Sequence, residues 1–269
     1  MIRDITIGQY YPADSVIHKL DPRTKLAATA VYIISLFMFK SFVGYLIAGL
    51  FLAMVIKLSK VPFSFIVRGL KPILVLLIFT AAFNLFLTPG ETILLQAGFL
   101  KVTLEGVTTA IFMAVRLIFL ILGSSLMTFT TTPNRLTDGL EHVLNPLKKL
   151  KVPVHELSMM MSIALRFIPI LLEETDKIMK AQTARGADFE TGGLIQKAKN
   201  LIPLLVPLFI SAFRRAMDLA MAMEARCYRG GEGRTKMMVL EYKDSDKKAY
   251  LTLAGYIVVL AAVTKFVPF

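Results

Sequence analysis

The sequence predicts an all-α integral membrane protein, with about five transmembrane helices and, beside them, long cytoplasmic amphipathic helices. Three observations carry that expectation. Hydrophobic residues fill 55% of the 269 positions, above the roughly 45–50% usual for soluble domains, and the excess is gathered into uncharged runs. The net charge of +12 is placed partly in short basic loops between those runs, as on the cytoplasmic side of membrane proteins. Residues 132–248 differ in kind. They hold 19 of the 31 Lys and Arg and 14 of the 19 Asp and Glu, a mixture that belongs in water. The chain therefore divides into an N-terminal membrane part (residues 1–131, four spans), a cytoplasmic helical module (residues 132–248) and a C-terminal span (residues 249–269).

The first 25 residues are polar, with Arg3, Lys19, Arg23 and Lys25. Asp21-Pro22 reads as a helix start, Asp as N-cap and Pro at the first helical position. Residues 26–39 form an uncharged run, Lys40 interrupts it, and residues 41–56 resume it. The first run gives only about 21 Å of helix, short of the ~30 Å hydrocarbon core. Residues from Pro22 onward therefore complete the first span, and Lys40 marks the far surface of a tight hairpin. Gly44, Ala48, Gly49 and Ala53 make two small-xxx-small pairs that let helices approach closely, either within this chain or against a separate membrane partner. No cleavable signal peptide is expected, because Asp4, Asp14 and Asp21 precede the first run and no small-residue cleavage site follows it.

Residues 57–71, with Lys57, Lys60, Arg68 and Lys71 and no acid, read as a cytoplasmic loop broken by Pro62 and Gly69. Residues 72–88 are the third span, ended by Pro89-Gly90. The loop 89–106, with Glu91, Lys101 and Glu105, is expected outside. The fourth span, 107–131, contains Arg116, which costs ~2.5–3.5 kcal/mol in mid-membrane. Either it has a polar partner or it snorkels. The other spans offer no carboxylate, and a structural role is expected rather than a transport site. Gly123-Ser124-Ser125 is a further close-packing patch.

In the polar module Thr132-Pro133 again read as N-cap and first helical position. Leu136, Leu140, Val143, Leu144 and Leu147 fall on one helical stripe. Pro153 opens a helix over residues 154–185, rich in Met and Leu as far as Leu172 and polar from Glu173 onward. There Glu173/Lys177 and Asp176/Lys180 have the favourable i,i+4 order. After a loop with Gly192-Gly193, another helix covers residues 195–229. Its apolar residues 201–213 hold Pro203 and Pro207, which predicts an interfacial or re-entrant piece bent at its prolines. A charged connector, 236–248, leads to the last span, 249–267. An N-terminus inside and five spans put the C-terminus outside.

Familiar reaction chemistry is missing. Cys227 is the single cysteine, so neither an internal disulfide nor a cysteine zinc cluster can form. His18, His142 and His155 lack paired ligand spacing. Gly231-Glu232-Gly233 lacks the spacing of a phosphate loop, no Gly-x-Ser-x-Gly occurs, and the spans contain no acidic cluster for magnesium. His155-Glu156 at a helix start reads as capping and dipole compensation, and Met159-Met160-Met161 as an adaptable packing face. No catalytic, cofactor-binding or metal-binding residue is expected. Nor is a nucleic-acid partner, since no DNA- or RNA-reading motif is present.

Two segments stand out instead. Ala181-Gln182-Thr183-Ala184-Arg185 and Ala222-Met223-Glu224-Ala225-Arg226 share the pattern Ala-x-x-Ala-Arg, and each ends a predicted helix. Small residues bare the helix surface beside one long cation, which suits a tip that docks into a partner's groove. The plain alternative is a cation offsetting the helix dipole, with Gly186 as a left-handed cap. The candidate site is thus Ala184, Arg185 and Gly186 together with Ala225, Arg226 and Cys227. A left-handed cap is less favourable at Cys227 than at Gly186, so Gly230 or Gly231 is expected to reverse the chain at the second tip.

Four further stretches join these two: Gly8-Gln9-Tyr10, His18-Lys19-Leu20-Asp21-Pro22-Arg23-Thr24-Lys25, Leu136-Thr137-Asp138-Gly139-Leu140-Glu141, and Met161-Ser162-Ile163-Ala164-Leu165-Arg166-Phe167-Ile168-Pro169. Together they resemble the transmembrane T components (EcfT) of energy-coupling factor (ECF) type ABC vitamin transporters, over essentially the whole chain. One departure is Ala-Arg-Cys at 225–227, where that family's pattern is Ala-Arg-Gly. The resemblance implies a non-enzymatic subunit of the bacterial cytoplasmic membrane, with its N-terminus and coupling helices in the cytoplasm. It implies two ABC ATPase subunits that dock on the coupling-helix ends and themselves bind ATP and magnesium, and a small membrane-embedded S component that binds the vitamin. The rival readings are a conventional ABC permease that binds substrate in its own spans and a membrane-embedded enzyme.

Overall fold

A computed structural model describes residues 10–39, 41–90, 92–97, 100–189, 193–231 and 239–266. Arg3, Asp4, Gly8, Gln9, Lys40, Glu91, Gly192, Glu232, Gly233, Lys236 and Val267, all invoked above, lie outside the described residues. The helices in chain order are α1 (Val16–Lys19), α2 (Pro22–Met38), α3 (Phe42–Ser59), α4 (Phe63–Arg68), α5 (Leu74–Leu87), α6 (Leu104–Thr130), α7 (Pro133–Leu144), α8 (Val154–Ala184), α9 (Leu194–Asn200), α10 (Ile202–Ala225) and α11 (Asp244–Phe266). A two-stranded antiparallel hairpin, β1 (Ile93–Ala97) and β2 (Leu100–Thr103), joins α5 to α6. The molecule is an all-α membrane protein. It falls into two compact units: the described residues of Gly8–His142 with Val239–Phe269, and those of Val143–Met238.

In the first unit α2 begins as its sequence dictates. Asp21 is the N-cap, its carboxylate accepting from the Arg23 amide at 2.8 Å, and Pro22 takes the first helical position. The same stretch fastens the start of α11. The Asp21 amide donates to the buried Asp246 carboxylate at 2.8 Å, which also accepts from the Lys243 amide at 2.9 Å. The Arg23 guanidinium bonds the Asp21 carboxylate and the Leu240 carbonyl and lies over the Tyr242 ring. Burial works to raise the Asp21 carboxyl, but the hydrogen bonds and charge of Arg23 outweigh it and hold the group below its ordinary value.

The core of this unit is drawn from α2, α3, α6 and α11, with Leu36, Ala48 and Phe129 essentially inaccessible. Gly123 of α6 faces the Tyr32 ring so closely that a Cβ would lie 2.7 Å from it, so glycine is what lets α2 and α6 close. Gly44, Ala48 and Gly49 pack within the unit, whereas Ala53 is exposed. Arg116 has a partner, and it is not a carboxylate. Its Nε donates to the Tyr45 phenol at 2.9 Å, and its guanidinium lies within reach of the Phe37 and Tyr45 rings. Gly139 of α7 is buried against Pro22 and would place a Cβ 2.8 Å from that ring.

Four helices are long and apolar enough to cross a membrane: Phe42–Ser59, Leu104–Thr130, Val154–Ala184 and Asp244–Lys265. Three of them coincide with expected spans. The expected first span forms α2, a 17-residue helix that carries Arg23 and Lys25, and the third forms α5, apolar but only 14 residues long. The fourth helix of the set, α8, belongs to the module expected in the cytoplasm; it qualifies through its Met- and Leu-rich half, the end expected to lie against membrane or protein, while its polar end reaches into water. The loop expected over 57–71 contains α4, and the one over 89–106 contains the hairpin.

The second unit is built on α8 and α10. The apolar residues after Leu201 form the first half of one continuous 24-residue helix, with Pro203 in its first turn and Pro207 tolerated inside. The single helix expected over 195–229 is instead α9 and α10, parted at Leu201. The helices α8 and α10 run antiparallel. Gln182 reaches the Pro203 carbonyl at one end, Glu174 meets Arg215 near the middle, and Gly231 lies against His155 at the other end.

Candidate functional site

Both Ala-x-x-Ala-Arg segments close their helices with the same backbone geometry. At the end of α8, Arg185 is the C-cap and Gly186 adopts φ +89°. The Ala187 amide donates back to Gln182 O at 3.0 Å, and the Gly186 amide to Thr183 O at 2.9 Å. At the end of α10, Arg226 is the C-cap and Cys227 adopts φ +57°. The Tyr228 amide donates to Met223 O at 3.0 Å, and the Cys227 amide to Glu224 O at 2.8 Å. Each is a Schellman closure, in which crossed backbone bonds satisfy carbonyls the helix end would leave orphaned.

This corrects the expectation at the second tip. Cys227 itself takes the left-handed conformation, and Gly230, with φ +88°, shapes the loop only afterwards. The crossed hydrogen bonds depend on backbone groups alone, so they form in either sequence. Cysteine has to bear the Cβ crowding that glycine avoids.

The six candidate residues are exposed in both triplets. Ala181 and Ala222, one turn further back, are exposed too, so each arginine projects from a helix surface bared by small side chains. Among the described residues neither Arg185 nor Arg226 has an ion-pair partner. Each cation stands where the helix dipole already favours it, and its fork of donors is free to engage an acceptor outside the chain.

The fold brings each triplet together but sets the two triplets apart. Because α8 and α10 are antiparallel, the arginines stand at opposite ends of the pair, separated by the length of α10, about 36 Å of helix. Between them the helices are clasped by residues the sequence did not mark as functional. Glu174 accepts from Arg215 Nη2 at 2.6 Å and Nε at 3.1 Å, and from the Ser211 hydroxyl at 2.5 Å. A cavity of about 370 Å³ beside this clasp is lined by Ile163, Phe167, Leu171, Ala216, Leu219 and Met223. The sequence did carry a signal, since Arg214-Arg215 interrupts an apolar run. It reads there only as a return to water.

Residues 13–237 match the family described as cobalt transport protein (CbiQ). The chain is 60% identical over 247 residues to the energy-coupling factor transporter transmembrane protein EcfT of Clostridium kluyveri, covering 91% of this chain and 92% of that one. It is 51% identical over 266 residues to the protein of the same name from Thermosediminibacter oceani, covering 99% and 100%. To that of Bacillus subtilis it is 50% identical over 266 residues, covering 99% of each.

Proposed function

Because the chain belongs to the cobalt transport protein (CbiQ) family, and within it to the energy-coupling factor transporter transmembrane proteins, we propose that it is the membrane scaffold and energy-coupling subunit of such a transporter. The observation that carries this reading is the matched pair of Schellman-closed helix ends. Each presents an exposed arginine with no ion-pair partner among the described residues, and the two lie at opposite ends of one clasped helix pair. Two such tips suit two copies of one kind of partner.

In this reading α8 and α10 are cytoplasmic coupling helices, and the docking residues are Ala184, Arg185 and Gly186 with Ala225, Arg226 and Cys227. Arg185 and Arg226 each enter a groove of one ABC ATPase subunit and meet carboxylates or helix-end carbonyls there. The ATPases bind ATP and magnesium, and this chain contributes no catalytic group. A small membrane-embedded S component binds the transported vitamin. When the ATPase pair closes on ATP, both tips move. The Glu174–Arg215 clasp and the apolar side chains beside it couple α8 to α10, and the displacement passes to the membrane helices and reorients the S component. Neither the family's description nor the relatives' names mention a vitamin, so that choice of cargo rests on the resemblance in the motifs.

Arginine anchors in the centre of an interface are worth ~2 kcal/mol or more on truncation. The double substitution Arg185→Ala, Arg226→Ala is therefore expected to remove most ATPase from the complex purified through this chain and to abolish uptake. Normal assembly and transport by the double variant would refute the docking role.

A further inference from the structure

The membrane unit holds a cavity that the docking tips do not use. About 250 Å³ lies between α2, α3, α6 and α11, with α1 at its edge. Its walls are almost wholly apolar, including Ala28, Leu52, Leu126 and Leu253, and the exposed side chains of Val16, Met54 and Leu58 form its rim. An apolar void between helices needs no occupant. This one, however, has two lysines in its lining.

Thr24 is 1% exposed and Tyr32 is 3% exposed, both line the cavity, and neither hydroxyl has a hydrogen-bond partner among the described residues. Buried polar groups are nearly always paired, and an exception calls for an explanation. Beside Thr24 the Lys25 ammonium, 7% exposed, also lines the cavity. It donates to the Thr130 carbonyl at 2.8 Å and the His18 carbonyl at 3.3 Å, which leaves one of its three donors. The nearby Asp246 carboxylate is already taken by the Asp21 and Lys243 amides. Lys248, exposed in the first turns of α11, adds a second cation at the same end of the cavity, with Ser245.

The polar groups are graded along the cavity. Lys25, Lys248 and Thr24 mark one end, and Tyr32 lies two helical turns, about 12 Å, further along α2. An anionic head and an apolar chain are what this arrangement complements. In a membrane protein the abundant molecule of that chemistry is an anionic phospholipid, recognised where basic side chains flank an apolar cleft at the membrane surface. We propose that this cavity is a binding site for one anionic phospholipid. The phosphate sits at Lys25 and Lys248, and an acyl chain runs between Ala28, Leu52, Leu126 and Leu253.

The test is native mass spectrometry of the full chain in neutral detergent with dioleoyl phosphatidylglycerol or dioleoyl phosphatidylcholine. The wild type is expected to retain one phosphatidylglycerol in preference to phosphatidylcholine. Lys248→Gln, an exposed change that leaves the fold alone, lowers phosphatidylglycerol retention about fivefold and does not affect phosphatidylcholine. Ala28→Phe fills the cavity and removes the retained lipid. Equal retention of the two lipids by the wild type, or unchanged retention in Ala28→Phe, would overturn the proposal.

Discussion

Cys227 holds a conformation that its relation to Gly186 makes informative. Both residues are left-handed at the same step of the same closure, yet one has a Cβ and the other does not. Nothing lies within 4 Å of a Cβ built on Gly186, so the cost of a side chain there comes from the backbone alone. That cost is about 1 kcal/mol for a residue with a Cβ. Cys227→Gly is therefore expected to stabilise the end of α10 by about that amount, and Gly186→Ala to destabilise the end of α8 by a similar one. Hydrogen exchange at the Tyr228 and Ala187 amides, which make the long closing bonds, reads the two effects directly. Slower exchange at Tyr228 in Cys227→Gly is the expected result. Unchanged or faster exchange would mean that the strain is relieved elsewhere.

Among the helices, ends were more legible in the sequence than partners. Asp21-Pro22 and Thr132-Pro133 announce helix starts, and Gly186 a stop, because capping is chemistry between neighbours in sequence. The partner of Arg116 is a phenol 71 positions away, and a search for carboxylates passes over it. The clasp between α8 and α10 was hidden for a related reason. Glu173, Glu174 and Asp176 are close neighbours, and two of them have a lysine four residues on. Among the described residues neither of those i,i+4 pairs closes, and Glu174, which has none, is the one turned toward Arg215. Only the approach of α10 selects it. Likewise Pro203 and Pro207 read alike in the sequence as bends, whereas the first sits where a helix needs no amide donor. The clasp is partly exposed, so its coupling is modest, about 1 kcal/mol at most. A double-mutant cycle of Glu174→Ala and Arg215→Ala on thermal unfolding is expected to return a coupling of that size. Additive losses would show that the two helices are held by apolar contact alone.

At the scale of the molecule the open question is which side of the bilayer each helix end faces. By length and composition α8 could cross, and α10 runs antiparallel beside it. A crossing hairpin would bury Glu174, Arg214, Arg215 and Asp218 at or near mid-membrane, at ~2.5–3.5 kcal/mol for each charge on insertion scales. One ion pair recovers only a fraction of that sum. The energetics therefore favour both helices lying on the cytoplasmic side, with the basic loops. The single native cysteine makes this directly testable, since Cys227 is exposed at the tip of α10. With the chain produced without partners, a membrane-impermeant maleimide is expected to label Cys227 in inverted vesicles and not in intact spheroplasts. A Gly193→Cys probe in a Cys227→Ser background, placed just past α8 where nothing lies within 4 Å of its Cβ, is expected to behave the same way. Thr92→Cys, exposed ahead of the hairpin, should show the reverse. Labelling of Gly193→Cys from the outside would mean that α8 and α10 cross the membrane as a pair, and the arginine at the end of α8 could then dock no cytoplasmic ATPase.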